Sequence, residues 1–329
     1  MSALDAAKEI DETALAPIVG GGGRGRLIAR RFTRNRLGLF GLIVIVLLFL
    51  AAYLGPYLTH WQLTDIDFDN FQTGPSSAHW FGTTQTGQDM FVLTMRGAQK
   101  SLVIGLIGGP LTTAIAALVG SVAGYAGGWL DRALVWFIDV MLVMPSFLLL
   151  AILSPTFKGK TWLLFVVLLA AFAWMITARI VRSLTLSLKS REFVLAAKYM
   201  GVSAPRIILR HILPNMASLL IIDATISVAV TILGESGLSY FGFGIQPPDV
   251  SLGTLIGNGQ DAVNTYPWLF MFPAGILILI ILAVNFVGDG LRDALDPNAA
   301  GAKAKAKRKQ RQTDEESLPG DTTVVEIAQ

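Results

Sequence analysis

The chain has 329 residues, of which 53% are hydrophobic and only 15% are charged, and its mean hydropathy of +0.58 is unusual for a soluble domain. It contains no cysteine, which excludes disulfides, thiolate metal sites and a cysteine nucleophile. The net charge of +3 is less informative than the positions of the basic residues along the chain. Residues 1–23 have no apolar stretch, which argues against a removed signal peptide.

Six stretches are long and apolar enough, or nearly so, to cross a hydrocarbon core of about 30 Å as helices. In chain order they are residues 37–58, 101–130, 133–157, 161–178, 216–234 and 262–288. The sequence therefore predicts an all-α, polytopic membrane protein with about six transmembrane helices. Seven glycines in and after the second stretch are expected to allow close helix packing: Gly105, Gly108, Gly109, Gly120, Gly124, Gly127 and Gly128.

Basic residues gather in three segments: before the first stretch, between the fourth and the fifth, and after the sixth. Short cytoplasmic segments are enriched in Lys and Arg, and an even number of spans returns the chain to the same side. Both termini are therefore predicted to be cytoplasmic. The predicted parts are a disordered tail (1–23), a basic segment with the first span (24–58), an extracytoplasmic loop (59–100), a five-helix core (101–298) and a second disordered tail (299–329).

The cytoplasmic segment at residues 190–215 is too long and too patterned for a simple connector. Residues 192–200 are predicted to form a short helix, in which Ala196 and Ala197 leave a face that another surface can approach closely. Gly201 fits the left-handed residue that commonly ends a helix. The first half of the segment is thus predicted to be a helix closed by a glycine.

A second short helix is predicted to begin after Ser203, a favourable N-cap, and to stop at Pro214 before the next span. Its apolar residues Ile207, Ile208 and Ile212 are predicted to form one stripe, interleaved with the basic residues Arg206, Arg210 and His211. From the residues alone, two interpretations are equally supported. The paired helices either fit a cleft on a soluble partner or lie at the level of the lipid headgroups.

The pattern Ala196-Ala197, Gly201 and Ile212-Leu213-Pro214 resembles the EAA loop of ABC-importer permeases, which forms coupling helices that dock on the ATPase subunits. This chain has Leu195 at the position of the glutamate that gives the motif its name, so any charge contact made by that glutamate is absent here. The resemblance implies that the residues coupling to the ATPase are Glu192, Ala196, Ala197, Gly201, Arg206, Arg210, His211 and Pro214.

Three further stretches, residues 79–89, 235–244 and 285–297, are similar to the C-type permease subunit of the dipeptide, oligopeptide and nickel importers. Thr84 and Gln88 replace an aspartate and an arginine of that family, which removes an expected salt bridge. Leu252-Gly253 stands where the family has Trp-Gly. The resemblance extends over about residues 25–298.

The resemblance implies the fold of type I ABC importer permeases, the MetI-like fold. It also implies a second permease subunit, two ATPase subunits or domains, an external substrate-binding protein and a bacterial cell membrane location. This subunit would bind no cofactor and catalyse no reaction, since ATP and Mg would bind the partner ATPases. Peptides are the leading substrate, with nickel or another small solute as the alternative. An ion-coupled secondary transporter is a rival from another class, but no internal repeat supports it, and a membrane enzyme would have few catalytic residues.

Ionisable residues at membrane depth are candidates for lining a substrate path. Asp139 and Asp223 lie within predicted spans, and Glu235 ends the fifth span at the outer face, where it would meet a peptide amine or water. Packing against polar groups of neighbouring helices is the alternative for both aspartates. His60 and His79 flank an acidic outer loop, but no ligand spacing supports a metal there, and hydrogen-bonding histidines are expected.

Overall fold

The computed structural model describes residues 22–154 and 162–295. The α-helices of these residues, in chain order, are α1 (Gly22–Phe32), α2 (Arg36–Leu54), α3 (Met90–Ala126), α4 (Gly128–Val143), α5 (Ser146–Leu153), α6 (Trp162–Ala173), α7 (Met175–Lys189), α8 (Glu192–Tyr199), α9 (Ala204–Ile207), α10 (Ala217–Tyr240), α11 (Leu252–Gly259) and α12 (Trp268–Leu295). Within the described ranges there is no strand, only one isolated bridge between Thr83 and Asp89. The all-α prediction is confirmed. The predicted tails lie outside the described residues, except that α1 begins at Gly22.

Four helical segments are long and apolar enough to cross a membrane unbroken: Arg36–Tyr57, Met90–Ala126, Ala204–Tyr240 and Trp268–Leu295. The other two predicted spans are bent pairs. The axes of α4 and α5 meet at 81°, and those of α6 and α7 at 51°. Pro145, at the first of these breaks, lacks the N–H that a continuous helix would need. Within the residues that the structure describes, the chain thus has four candidate spans, or up to six if each bent pair is one span.

Helix α3 lies at the centre of the bundle, and its glycines are the points of closest approach. A Cβ on Gly109 would lie 2.6 Å from the backbone nitrogen of Val228 in α10, and one on Gly124 would lie 2.8 Å from the Arg182 carbonyl in α7. Gly105, Gly108 and Gly120 are equally crowded by α10 or α7. The packing prediction is confirmed for these five. Gly127 and Gly128 instead have positive φ and carry the chain from α3 into α4.

Two contacts define one end of the bundle. A Cβ on Gly38, at the start of α2, would lie 2.9 Å from Gly290 near the end of α12. One on Gly288 would lie 3.2 Å from Thr225, which is in the first half of α10. The start of α2, the end of α12 and the segment preceding α10 therefore lie at the same end, as the placement of the three basic segments predicted.

The opposite end is formed by the loop between α2 and α3, by α11 and by the start of α12. This loop ends at Asp89, eleven residues earlier than predicted, because the carboxylate of Asp89 caps α3 by accepting from the Val92 N–H at 2.9 Å. Trp268 donates from its indole to the Thr83 carbonyl at 3.3 Å and joins the loop to α12. Between the two positions at which the sequence analysis expected a salt bridge to be lost, the Thr84 hydroxyl accepts from the Gln88 N–H at 3.0 Å.

Candidate functional site

The turn that ends α8 closes with two backbone hydrogen bonds. Gly201, at φ +77°, follows the last helical residues. Its N–H donates to the Lys198 carbonyl at 3.0 Å, and the Val202 N–H donates to the Ala197 carbonyl at 3.1 Å. This is the Schellman arrangement, in which a left-handed residue satisfies the last carbonyls of a helix. The prediction of a helix closed by Gly201 is confirmed.

One face of the segment is buried within this chain. Val194 and Ala197 of α8 pack with Ile207 and Ile212 in a cluster that includes Val181 of α7. Ile207 and Ile212 are fully buried. The apolar stripe predicted for the second helix is therefore present. It holds the segment against its own bundle, and Ala197 belongs to this inner face while Ala196 is exposed.

The other face is open and combines apolar with charged side chains. Tyr199 is 86% exposed, Met200 76% and Leu209 61%. Several charged residues are exposed beside them and form no ion pair with the described part of the chain: Glu192, Lys198, Arg206 and Arg210. This exposed mixture of apolar and charged side chains fits both alternatives that the sequence left open, a docking surface for another protein and a position at the level of the lipid headgroups.

The prediction that Pro214 stops the second helix is wrong. The chain continues from α9 through a short π-helix (Ile208–Ile212) and a short 3-10 helix (Leu213–Met216) into α10. Proline cannot donate the hydrogen bond that a regular α-helix requires at that position, and the change of pitch carries the helix past it. Ser203 has extended dihedral angles at the N-cap, but its side chain makes no capping hydrogen bond. The segment is thus rigidly continuous with α10.

Two ion pairs join α7 to α4 beside this segment. Arg182 donates to Asp131 from Nε at 2.5 Å and from Nη2 at 2.6 Å, a bidentate pair. Arg179 donates to Asp139, and both side chains are about half exposed. Asp139 thus contacts a polar group of a neighbouring helix, which is one of the two interpretations that the sequence allowed. Sequence reasoning missed Asp131, because 51 residues separate it from Arg182.

Asp223, in the second turn of α10, joins three helices. Its two carboxylate oxygens accept from the hydroxyl of Thr113 in α3 at 2.5 Å and from that of Thr177 in α7 at 2.7 Å. The side chain is only partly buried. Asp223 thus contacts polar groups of neighbouring helices, which was the alternative to lining a substrate path. The contact places an acidic group where α3, α7 and α10 meet.

Glu235 does not lie at an exposed outer face, so that expectation is wrong. It is completely buried within the last turns of α10. Its carboxyl oxygens accept from the Ser239 hydroxyl at 2.5 Å, from Ser236 at 3.4 Å and from Ser101 of α3 at 3.5 Å. Through its contact with Ser101, the carboxyl group joins α10 to α3.

His79 is a hydrogen-bonding residue, as expected. Its Nδ1 lies 2.8 Å from Asp89 and its Nε2 lies 3.1 Å from Asp67. Hydrogen bonds from the Asn70 amide, the Asp69 N–H and His79 lower the pKa of Asp67 to about 2. The ring of His60 packs against that of Trp61 in a tilted arrangement, with the centroids 4.5 Å apart. No group of three or more potential metal ligands occurs in the residues that the structure describes.

The chain matches two family profiles. Residues 116–301 match the profile described as the binding-protein-dependent transport system inner membrane component. Residues 23–75 match the N-terminal TM domain of oligopeptide transport permease C. The first match includes the whole segment 190–215.

Several similar proteins are named as permeases of oligopeptide transport systems. The chain is 52% identical over 275 residues to the oligopeptide transport system permease protein OppC of Mycobacterium tuberculosis, covering 83% of this chain and 94% of that protein. It is 38% identical over 267 residues to OppC of Bacillus subtilis, covering 81% and 87%. A chain of the MetNI methionine ABC transporter, solved in inward-facing conformations, superposes with a TM-score of 0.51 at 21% identity, over 63% of this chain and 98% of that one. The last likeness confirms the predicted MetI-like fold.

Proposed function

This chain belongs to the family of binding-protein-dependent transport system inner membrane components, and from that premise we propose that it is the C-type permease subunit of an ATP-driven importer of oligopeptides. The profile of permease C at residues 23–75 supports the subunit type. The names of relatives at 52% and 38% identity support the substrate class.

In this proposal the protein spans a bacterial cell membrane with both termini in the cytoplasm. The three basic segments supply the charge asymmetry that favours this orientation. Contacts of Gly38 with Gly290 and of Thr225 with Gly288 bring these segments to one end of the bundle, which is consistent with a single cytoplasmic face. The loop before α3 and helix α11 would then face the binding protein that delivers the substrate.

The observation that carries the mechanism is the hydrogen-bonded turn at Gly201, with a buried inner face and an open outer face. The outer face, including Tyr199 and Met200, docks in a cleft of the ATPase subunit. The inner face is packed against Val181, and the helix continues through residues 208–216 into α10. A displacement of the ATPase is therefore transmitted directly to a membrane-spanning helix.

In this scheme the chain itself catalyses no reaction. ATP and Mg bind the partner ATPases, and a second, homologous permease subunit completes the translocation path. Asp139, Asp223 and Glu235 remain path candidates of unequal strength. Glu235 is enclosed by serines, and Asp139 is paired with Arg179. Asp223, partly exposed where three helices meet, is the strongest of them.

Uptake measurements in a deletion strain test the substrate class. We expect the strain carrying the complete transport system to take up labelled tri- to pentapeptides and the strain lacking this chain to lose that uptake. Nickel uptake that depends on this chain, without peptide uptake, would overturn the oligopeptide assignment. Purification of the tagged chain separates the proposal from a secondary transporter. We expect ATPase subunits and a second permease to copurify, whereas a lone protein driven by an ion gradient would contradict the proposal.

A further inference from the structure

A cavity of about 730 Å³ lies between the loop preceding α3 and the segment that contains α11, at the end of the bundle opposite residues 190–215. Its floor is apolar and includes Met90, Leu93, Leu255 and Leu269. Its volume falls within the range of about 300–1,000 Å³ that is usual for sites of small ligands. It can hold a few residues of an extended peptide, but not a folded domain.

The walls of the cavity are fixed by hydrogen bonds. On one side, the Gln88 amide donates to the Leu63 carbonyl at 3.0 Å. On the other side, the Ser251 hydroxyl caps α11 by accepting from the Thr254 N–H at 3.2 Å, and the Thr254 hydroxyl donates to the Ile245 carbonyl at 3.3 Å. The cavity is therefore a preformed part of the fold.

The charge of the lining is negative. Asp249 and Asp261 are its two ionisable side chains, and no Lys, Arg or His lines it within the part of the chain that the structure describes. Lys100 neutralises Asp249 with an ion pair of 2.8 Å and is itself held over the ring of Trp162 at 4.9 Å. Asp261 is exposed and has no ion-pair partner among the described residues. One carboxylate is thus available to a cation.

The remaining polar lining consists of neutral hydrogen-bonding groups. Thr64, Thr86, Gln85 and Asn258 offer hydroxyls and amides that can pair with the N–H and C=O groups of a peptide backbone. Peptides of different sequence share only their backbone and their two termini. A lining with a free carboxylate, neutral amides and no cation fits a backbone together with an amino terminus, and does not fit a carboxyl terminus.

We propose that this outer cavity binds the amino-terminal end of the transported peptide, with Asp261 facing its ammonium group and the floor of Met90 and Leu255 receiving a side chain. The proposal rests on the proposed function, since it requires a peptide cargo that arrives at this end of the bundle. It adds a sequence-independent subsite through which peptides enter the path.

Photo-cross-linking in the complete transporter tests the proposal. Thr86 is replaced by p-benzoylphenylalanine, and the complex in proteoliposomes is illuminated with its binding protein and labelled tri-alanine or N-acetyl-tri-alanine. We expect tri-alanine to cross-link, and Asp261→Asn to lower that yield by about 2- to 5-fold, as for the loss of an exposed ion pair. The acetylated peptide should cross-link less, and Asp261→Asn should leave its yield unchanged.

Asp69→Asn is the matched control, because Asp69 is an exposed carboxylate at the same end of the bundle, in the loop preceding α3, and does not line the cavity. It should not change either yield. Cross-linking to the binding protein without cross-linking to the peptide would overturn the proposal, and so would equal losses for both peptides with Asp261→Asn. If the unsubstituted complex imports no peptide at all, the proposed function fails instead, so the two failures are distinguishable.

Discussion

The N–H of Val202 donates to the carbonyl of Ala197 across Gly201, closing a turn whose two faces differ. Ala197 is buried against the bundle, whereas Gly201 is exposed, and a Cβ placed on it would meet nothing within 4 Å. The requirement for glycine here is conformational within this chain, since φ is +77°. Open space around that position is also what a docking surface needs.

Gly201→Val is expected to uncouple ATP hydrolysis from peptide uptake. A β-branched residue in the left-handed region costs roughly 1–2 kcal/mol, so the turn opens and the docking face is displaced. Reconstituted transporters should retain ATPase activity but lose most uptake. Gly201→Asn is the matched control, because asparagine tolerates positive φ, and it should uncouple less. Normal assembly and wild-type transport by Gly201→Val would show that the docking assignment is wrong.

Glu235 is expected to act through packing. Glu235→Ala removes the acceptor for Ser239 and Ser101 and leaves a void, at a cost of about 2–3 kcal/mol. Glu235→Gln keeps an acceptor oxygen and should be much milder. The midpoint of thermal unfolding of the purified complex measures both changes. Should Glu235→Gln abolish uptake without lowering that midpoint, Glu235 would be a path residue after all.

The bidentate pair of Arg182 and Asp131 is expected to stabilise the contact between α7 and α4. Both side chains are partly exposed, at 30% and 13%, so we expect Arg182→Ala to destabilise the protein by about 1–2 kcal/mol. The double variant Asp131→Ala/Arg182→Ala should be less destabilised than the sum of the single variants. Strict additivity in thermal unfolding would show that the pair contributes nothing.

The outer loop is expected to lose stability only in strong acid. The folded-state pKa of Asp67 is lowered to about 2 from the ordinary value of 3.8. Its contribution is therefore fully present above about pH 4 and is lost as the pH falls toward 2. The fluorescence of Trp61, which stacks on His79 at 4.7 Å, reports the loop. Asp67→Asn should remove this transition and Asp69→Asn should not; an unchanged transition in Asp67→Asn would contradict the assignment.

Deletion of residues 303–329 is expected to leave transport largely intact. The sequence predicts a solvated tail there, with a basic tract that reinforces the topology. Uptake and membrane abundance of the truncated protein, compared with the full chain, provide the measurement. Lost uptake at normal abundance would show that the tail takes part in transport.

Features that depend on local sequence were predictable, whereas those that depend on contacts between distant residues were not. The Gly201 turn and the stripe of Ile207 and Ile212 follow from propensities along one stretch of chain. The burial of Glu235 depends on Ser101, which is 134 residues away, and hydropathy carries no signal of it. The expectation for Pro214 failed for another reason. Proline forbids one hydrogen bond but allows a helix to continue when its pitch changes locally.

The absence of native cysteine permits the most direct test of the coupling assignment, a comparison of two single-cysteine variants in the assembled transporter. Met200→Cys lies on the proposed docking face, and Tyr57→Cys, at a residue that is 77% exposed, lies at the opposite end of the bundle. We expect Met200→Cys to cross-link to the ATPase subunit and to resist impermeant thiol reagents added to whole cells, and Tyr57→Cys to show the reverse. Labelling of Met200→Cys from outside the cell, with no cross-link to the ATPase, would contradict the account.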